Sequence, residues 1–141
     1  MRNLKLISSS LEETDLFAKN LATTLKKGDL VAFFGELGSG KTTFLKSLIA
    51  ALNHTSPEDI HSPTFTYLHI YEGTTAVYHF DLYRLKSAQD FTALGFHEFF
   101  EKNGICCIEW SERITELLPS STIQVHLSHV SETSRSIEVI S

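Results

Sequence analysis

A chain of 141 residues with 42% hydrophobic content has room for one domain and a sizeable core. Its 12 basic residues against 17 acidic leave a net charge of −5, with no lysine- or arginine-rich run; such a surface is a poor match for nucleic acid alone, so any RNA in the process served is expected to be held mainly by a partner. No apolar stretch approaches the ~20 residues of a membrane-crossing helix, and no apolar segment precedes Ser8-Ser9-Ser10, so no secretory signal is visible, no membrane partner is expected, and a cytoplasmic location is.

In chain order, residues 4–7 are a short strand candidate. Ser10-Leu11-Glu12-Glu13 fits a capping box, with Ser10 at the N-cap and Glu13 three residues on. Leu11, Phe17, Ala18, Leu21, Ala22 and Leu25 then recur on one helical face, and Lys26-Lys27-Gly28 is a stop signal. Residues 29–34 form an apolar strand, residues 41–52 have helical spacing, and the polar run 54–62 ends as a loop at Ser62-Pro63. Two β-rich runs, 65–71 and 76–81, flank Glu72-Gly73-Thr74-Thr75 and read as an antiparallel hairpin. A polar connection over 83–90 leads to a helix over 91–102, which carries Phe91, Leu94, Phe96, Phe99 and Phe100 and closes at Asn103-Gly104. Residues 105–108 are an apolar run ending at Glu109, and 114–118 a short helix ended by Pro119. Residues 122–130 and 136–140 form a second hairpin around Glu132-Thr133-Ser134. Helices link some strands and turns link others, which predicts a mixed parallel and antiparallel sheet in an α/β sandwich, with the aromatic residues in its core. Cys106 and Cys107 are neighbours on one strand and point to opposite faces, so they are expected to be reduced core residues.

The junction between strand 29–34 and helix 41–52 carries the chemistry. Gly35-Glu36-Leu37-Gly38-Ser39-Gly40-Lys41-Thr42 fits G-x-x-x-x-G-K-[ST], the phosphate-binding loop, in the strand–loop–helix context that the motif requires. Glycine lets the backbone take positive φ and approach a ligand closely. Several N–H groups then converge on one anion over the positive end of a helix. Residues 37–43 (Leu37, Gly38, Ser39, Gly40, Lys41, Thr42 and Thr43) are the expected nucleotide contacts. Lys41 supplies charge to the β- and γ-phosphates, and the Thr42 hydroxyl is offered to Mg2+. Such a site also needs acidic groups. Glu109 ends an apolar strand, where ligands collect in an open α/β sheet, and is expected to share the metal with Thr42. Asp81, in His79-Phe80-Asp81-Leu82-Tyr83-Arg84, ends another strand and reads either as a metal- or water-facing carboxylate or as a turn cap. Ser62-Pro63-Thr64-Phe65-Thr66 is a hydroxyl-rich loop that either senses a γ-phosphate or is a plain turn. Spacing alone does not choose between these alternatives. No cysteine–histidine spacing points to zinc.

The motifs stand together in an order that resembles the TsaE (YjeE) family. They are the glycine loop 35–43, Ser62-Pro63-Thr64-Phe65-Thr66, His79-Phe80-Asp81-Leu82-Tyr83-Arg84 and Ile108-Glu109-Trp110-Ser111-Glu112, and together they span essentially the whole chain. The resemblance implies a P-loop NTPase-like three-layer sandwich and slow, Mg2+-dependent hydrolysis of ATP. It implies action with the TsaB–TsaD complex that forms threonylcarbamoyladenosine at position 37 of tRNAs reading ANN codons. It also implies that Lys41, Thr42, Thr43, Asp81, Glu109 and Trp110 are functional positions, with Lys41, Asp81 and Glu109 catalytic. Trp110 on composition alone would be a packing anchor.

Three rival readings bound this one. A GTPase would carry N-K-x-D and D-x-x-G; neither occurs, which favours ATP. A small-molecule or nucleotide kinase would need an acceptor pocket and an arginine-bearing lid, and the chain holds four arginines, Arg2, Arg84, Arg113 and Arg135, with no lid insertion. A nucleotide-dependent binding module that hydrolyses ATP as a timer merges with the family reading.

Overall fold

The computed structural model describes residues 3–36 and 39–141. Among them run β1 (Asn3–Ser8), α1 (Leu11–Ala22), β2 (Leu30–Phe34), α2 (Lys41–Asn53), β3 (Leu68–Tyr71), β4 (Ala76–Asp81), α3 (Ala88–Ala93), β5 (Gly104–Glu109), β6 (Ile123–His129) and β7 (Arg135–Ile140). Short 3-10 turns occupy Pro57–Asp59, Phe96–Glu101 and Ser111–Leu117. The strands form one seven-stranded sheet in the order β1-β7-β6-β2-β5-β4-β3. β2 lies at its centre, parallel to β5 and β6, and β4 is parallel to β5. The β3–β4 and β6–β7 hairpins are antiparallel, as their sequences predict, and β1 adds antiparallel to β7.

Alternation along the parallel strands sorts the core into two layers. Val31, Phe33, Val77, Ile105 and Cys107 face α1 and α2, with Phe44, Leu45, Leu48 and Ile49 of α2 packed on them. Ala32, Tyr78, Phe80, Cys106 and Ile108 face the opposite way, against Leu82, Leu85, Phe91 and Ile114. The result is a three-layer α/β sandwich. β2 is apolar throughout because it is covered on both faces. Each enclosed Phe or Leu contributes about 2 kcal/mol of burial. The adjacent cysteines are free and buried, one in each layer.

Several boundaries differ from expectation. The short helix expected over 114–118 is a 3-10 segment over Ser111–Leu117, kinked where Ile114 leaves helical φ/ψ. α1 ends at Ala22, short of Leu25, because the Thr23 and Thr24 hydroxyls bond the carbonyls of Asn20 and Leu21 at 2.7 and 2.8 Å and compete with the helical pattern. The expected strand 65–71 begins only at Leu68, since Tyr67 takes a left-handed φ of 66° and Phe65 stands 81% exposed on a turn. The expected helix 91–102 is two pieces. α3 starts earlier, with the Ser87 hydroxyl accepting from the Asp90 N–H, and ends where Gly95 takes a φ of 79°. A 3-10 turn over Phe96–Glu101 then presents its phenylalanines to the second layer.

Candidate functional site

The site lies at the carboxyl ends of β2, β4 and β5. Leu37 and Gly38 lie outside the described residues. Ser39 turns back on Glu36 through a 3.1 Å backbone bond, and Gly40 takes a φ of 93° as the N-cap of α2. A Cβ at Gly35 would meet the Leu127 carbonyl at 2.6 Å and the Ser39 hydroxyl at 2.7 Å, so only glycine lets the loop pass there. The first turn of α2 has no acidic residue, and among the described residues no side chain caps it. Its unpaired N–H groups and the positive helix end are therefore left for an anion. The Ser39 hydroxyl beside them is buried without a partner among the described residues.

Thr42 and Thr43 are exposed on that first turn, while Lys41 is 4% exposed. Its ammonium donates to the Gly35 carbonyl and sits over the Trp110 ring, 3.7 Å from the centroid. Burial pulls the Lys41 ammonium below the ordinary lysine value, against the opposing charges of Glu112, Glu109 and Asp81. Trp110 takes a left-handed φ of 60°, which directs its ring under Lys41 and against Tyr83 and Arg113. Arg113 also donates to the Tyr83 carbonyl at 3.2 Å. Gly35, Glu36, Trp110, Glu112 and Arg113 line a cleft of about 350 Å3 at the loop's entrance.

β4 and β5 run in register, so Asp81 stands opposite Glu109. Both carboxylates are buried, 5% and 2% exposed. Glu109 Oε1 accepts from the Thr42 hydroxyl at 2.9 Å, and Oε2 is shared by the Ser62 hydroxyl at 3.3 Å and His79 Nε2 at 3.0 Å. Asp81 accepts from the Thr64 hydroxyl at 3.3 Å and from the Tyr83 N–H at 3.0 Å. These partners separate the two acids. Burial opposes ionisation of Glu109, yet His79, Thr42 and Ser62 outweigh it and hold its carboxyl below the ordinary glutamate value. Burial, aided by the Glu109 charge, raises Asp81 above the ordinary aspartate value despite its hydrogen bonds.

Lys41, Thr42, Asp81, Glu109, Ser62 and Trp110 thus converge, although up to about seventy positions separate them in the chain. The loop 62–66 is not a free turn, because two of its hydroxyls bond the acidic pair. The turn-cap reading of Asp81 holds as well, since Tyr83 N–H is its ligand. Two site residues escaped the sequence reading. His79 was only part of a motif. Arg135, at the start of β7, lies where a Cβ on Gly40 would be, with its Nε buried and unpartnered among the described residues. No local pattern links Arg135 to a loop ninety-five positions away. Among the described residues no cluster of three metal-binding side chains occurs, and Cys106 and Cys107 are buried thiols, with Cys106 pushed up to about 12 by burial.

The donor set fits a phosphorylated ligand with a hard divalent cation. When the Thr42 hydroxyl donates to Glu109, its lone pairs remain free for a cation beside that carboxylate. A glycine loop capping a helix behind a central parallel strand, with carboxylates ending the neighbouring strands, defines a protein of the P-loop NTPase-like class. A family model described as threonylcarbamoyl adenosine biosynthesis protein TsaE matches residues 8–137. The tRNA threonylcarbamoyladenosine biosynthesis protein TsaE of Treponema pallidum is 38% identical over 96% of this chain and 99% of its own length. The protein of that name from Bacillus subtilis is 36% identical over 97% of this chain and 85% of its own. The crystal structure of Bacillus subtilis YdiB superposes with a TM-score of 0.79 at 32% identity, covering 98% of this chain and 84% of that one. The chain belongs to the TsaE family.

Proposed function

We propose that this protein binds ATP with Mg2+ and hydrolyses it slowly to ADP and phosphate. The activity would support the TsaB–TsaD complex that forms threonylcarbamoyladenosine at position 37 of tRNAs reading ANN codons, in the cytoplasm. The observation that carries the nucleotide reading is the contact of the Thr42 hydroxyl, on the open first turn of α2, with the buried Glu109 carboxylate. The partner reading rests on the family; hydrolysis would then act through a partner's state.

In this reading the phosphates lie across Gly38, Ser39, Gly40, Lys41, Thr42 and Thr43, within reach of Leu37. Thr42 and Glu109 would hold Mg2+, directly or through water, and the ion would supply charge neutralisation at the phosphates. Lys41 leaves Trp110 and the Gly35 carbonyl to pair with the phosphates. Arg135 brings a second cation to the loop. Asp81 faces the attacking water. It is the better placed of the two acids, because Glu109 is engaged with Thr42 and held ionised, whereas Asp81 is biased toward taking up a proton. Among the described residues no helix is long and apolar enough to cross a membrane.

The test is phosphate release from ATP by the purified protein alone and with TsaB–TsaD, together with pull-down in the ATP, ADP and nucleotide-free states. Slow turnover alone, accelerated by the partners, is expected. Absence of turnover in both settings, or of association in every nucleotide state, would sink the reading.

A further inference from the structure

We propose that His79 is a positioning residue, which holds the Glu109 carboxylate in the orientation that turns its other oxygen to Thr42 and so sets the divalent-cation affinity of the site. This rests on the reading of Thr42 and Glu109 as the cation-binding pair. His79 alternates with Phe80 along β4 and therefore shares the face of Asp81, Cys107 and Glu109. It is 0% exposed. The strand that carries it is bonded on both sides, to β3 through His69 and to β5 through Cys107.

Among the described residues Glu109 has three side-chain partners. Thr42 sits on the first turn of α2, which a bound nucleotide would occupy, and Ser62 makes a longer contact from a loop. His79 alone reaches the carboxylate from an enclosed central strand, with Nε2 3.0 Å from Oε2. A carboxylate only accepts, so Nε2 is the donor in this contact. Nδ1 has no partner among the described residues. An apolar ring of similar size would fill the position without an unpaired buried nitrogen. What imidazole adds over such a ring is the single directed bond to Glu109. Partners of this kind orient ligating carboxylates, and their loss weakens metal binding roughly 10–100-fold.

The test compares wild type with H79Q, H79L and H79N. Glutamine can place an amide N–H near the position of Nε2, leucine fills space without a donor, and asparagine keeps polarity but is too short to reach Oε2. Each variant is first checked for a cooperative melting transition. The readout is the Mg2+ midpoint for tightening of a fluorescent ADP analogue, taken relative to its affinity in EDTA, with turnover measured in parallel. The expected result is a midpoint raised roughly 10–100-fold in H79L and H79N and restored to within about threefold in H79Q. A wild-type midpoint in folded H79L or H79N overturns the proposal, because a purely space-filling role predicts that outcome. If H79L does not fold, H79N against H79Q decides. A wild-type protein whose affinity for the analogue ignores Mg2+ overturns the cation-pair reading itself, and the proposal with it.

Discussion

Replacing Lys41 with alanine separates the nucleotide reading from a structural reading of the same residue. Lys41 is held by the Gly35 carbonyl and by the face of Trp110. A desolvated cation–π contact is worth about 2 kcal/mol, and a charge-assisted hydrogen bond about 1.5–3 kcal/mol. A phosphate charge ~4 Å from the ammonium contributes about 4 kcal/mol at an effective dielectric of 20. Two or more phosphate charges therefore draw Lys41 off the ring, while one would barely do so. In the transition state the lost contact should cost about 3 kcal/mol, roughly a hundredfold in turnover. The fold should hardly change, because the variant also removes a cation whose burial is unfavourable.

Two measurements check this. Turnover is read by phosphate release. Displacement of Lys41 is read by the intrinsic fluorescence of Trp110, the chain's one tryptophan. Adding ADP with Mg2+ should change the emission of the wild type and leave that of K41A nearly unchanged. K41A should melt within a few degrees of wild type. A K41A protein with wild-type turnover, or a wild-type signal unmoved at saturating nucleotide, refutes the reasoning.

The acidic pair should respond to pH in opposite senses. Asp81 has a folded-state value above its unfolded one, so its favourable contribution is present below the ordinary aspartate value and is lost as pH rises through the folded value. D81N should therefore melt higher than wild type at neutral pH, with the gain vanishing as pH falls to the ordinary aspartate value and with turnover reduced. Glu109 has a depressed value, so its contribution is present above the ordinary glutamate value and is lost as pH falls through the folded one. E109Q should melt lower than wild type at neutral pH, with the gap closing in acid; parallel shifts in the two variants would contradict the assignment. R135A should weaken nucleotide binding by about 1.5–3 kcal/mol, at least roughly tenfold in a fluorescent-ADP titration; unchanged affinity would remove Arg135 from the site. Cys106 and Cys107 should resist a thiol reagent in the native protein at pH 8 and give two equivalents when unfolded; rapid native labelling would contradict their burial.

The placement of the candidate site residues is more legible in the sequence than the chain path around them. Gly35, Lys41, Thr42, Asp81 and Glu109 sit at strand ends and a helix start, where a local pattern determines both position and exposure, and the structure brings all five together. The errors fall where side-chain chemistry or backbone φ overrides periodicity. Phe91, Phe96, Phe99 and Phe100 have a spacing that suits one helix, but Gly95 breaks it and a 3-10 turn packs Phe96, Phe99 and Phe100, half-buried, against the core that holds Phe91. Ser87 with Asp90 carried an N-terminal signal that pointed to the earlier start of α3. Tyr67 hides its positive φ completely, since nothing in a tyrosine announces it. Contacts made only by strand order, such as Arg135 over Gly40 or β1 beside β7, have no local signature.

The position of Ser62 and Thr64 joins the site to the surface. Each hydroxyl bonds one member of the acidic pair, and Phe65 immediately after them projects into solvent under the Arg84 guanidinium, 4.8 Å from its ring centroid. Any ligand that drew Glu109 or Asp81 toward a cation or a water would compete with these hydroxyls for the same carboxylate oxygens. The loop would then lose bonds that fix it, and Phe65 and Arg84 would shift with it. Only a differential interaction can move such an equilibrium, and the Ser62 and Thr64 hydrogen bonds are the contacts that such a ligand would weaken. The loop 62–66 thus ties the interior of the site to an exposed aromatic side chain through its hydrogen bonds.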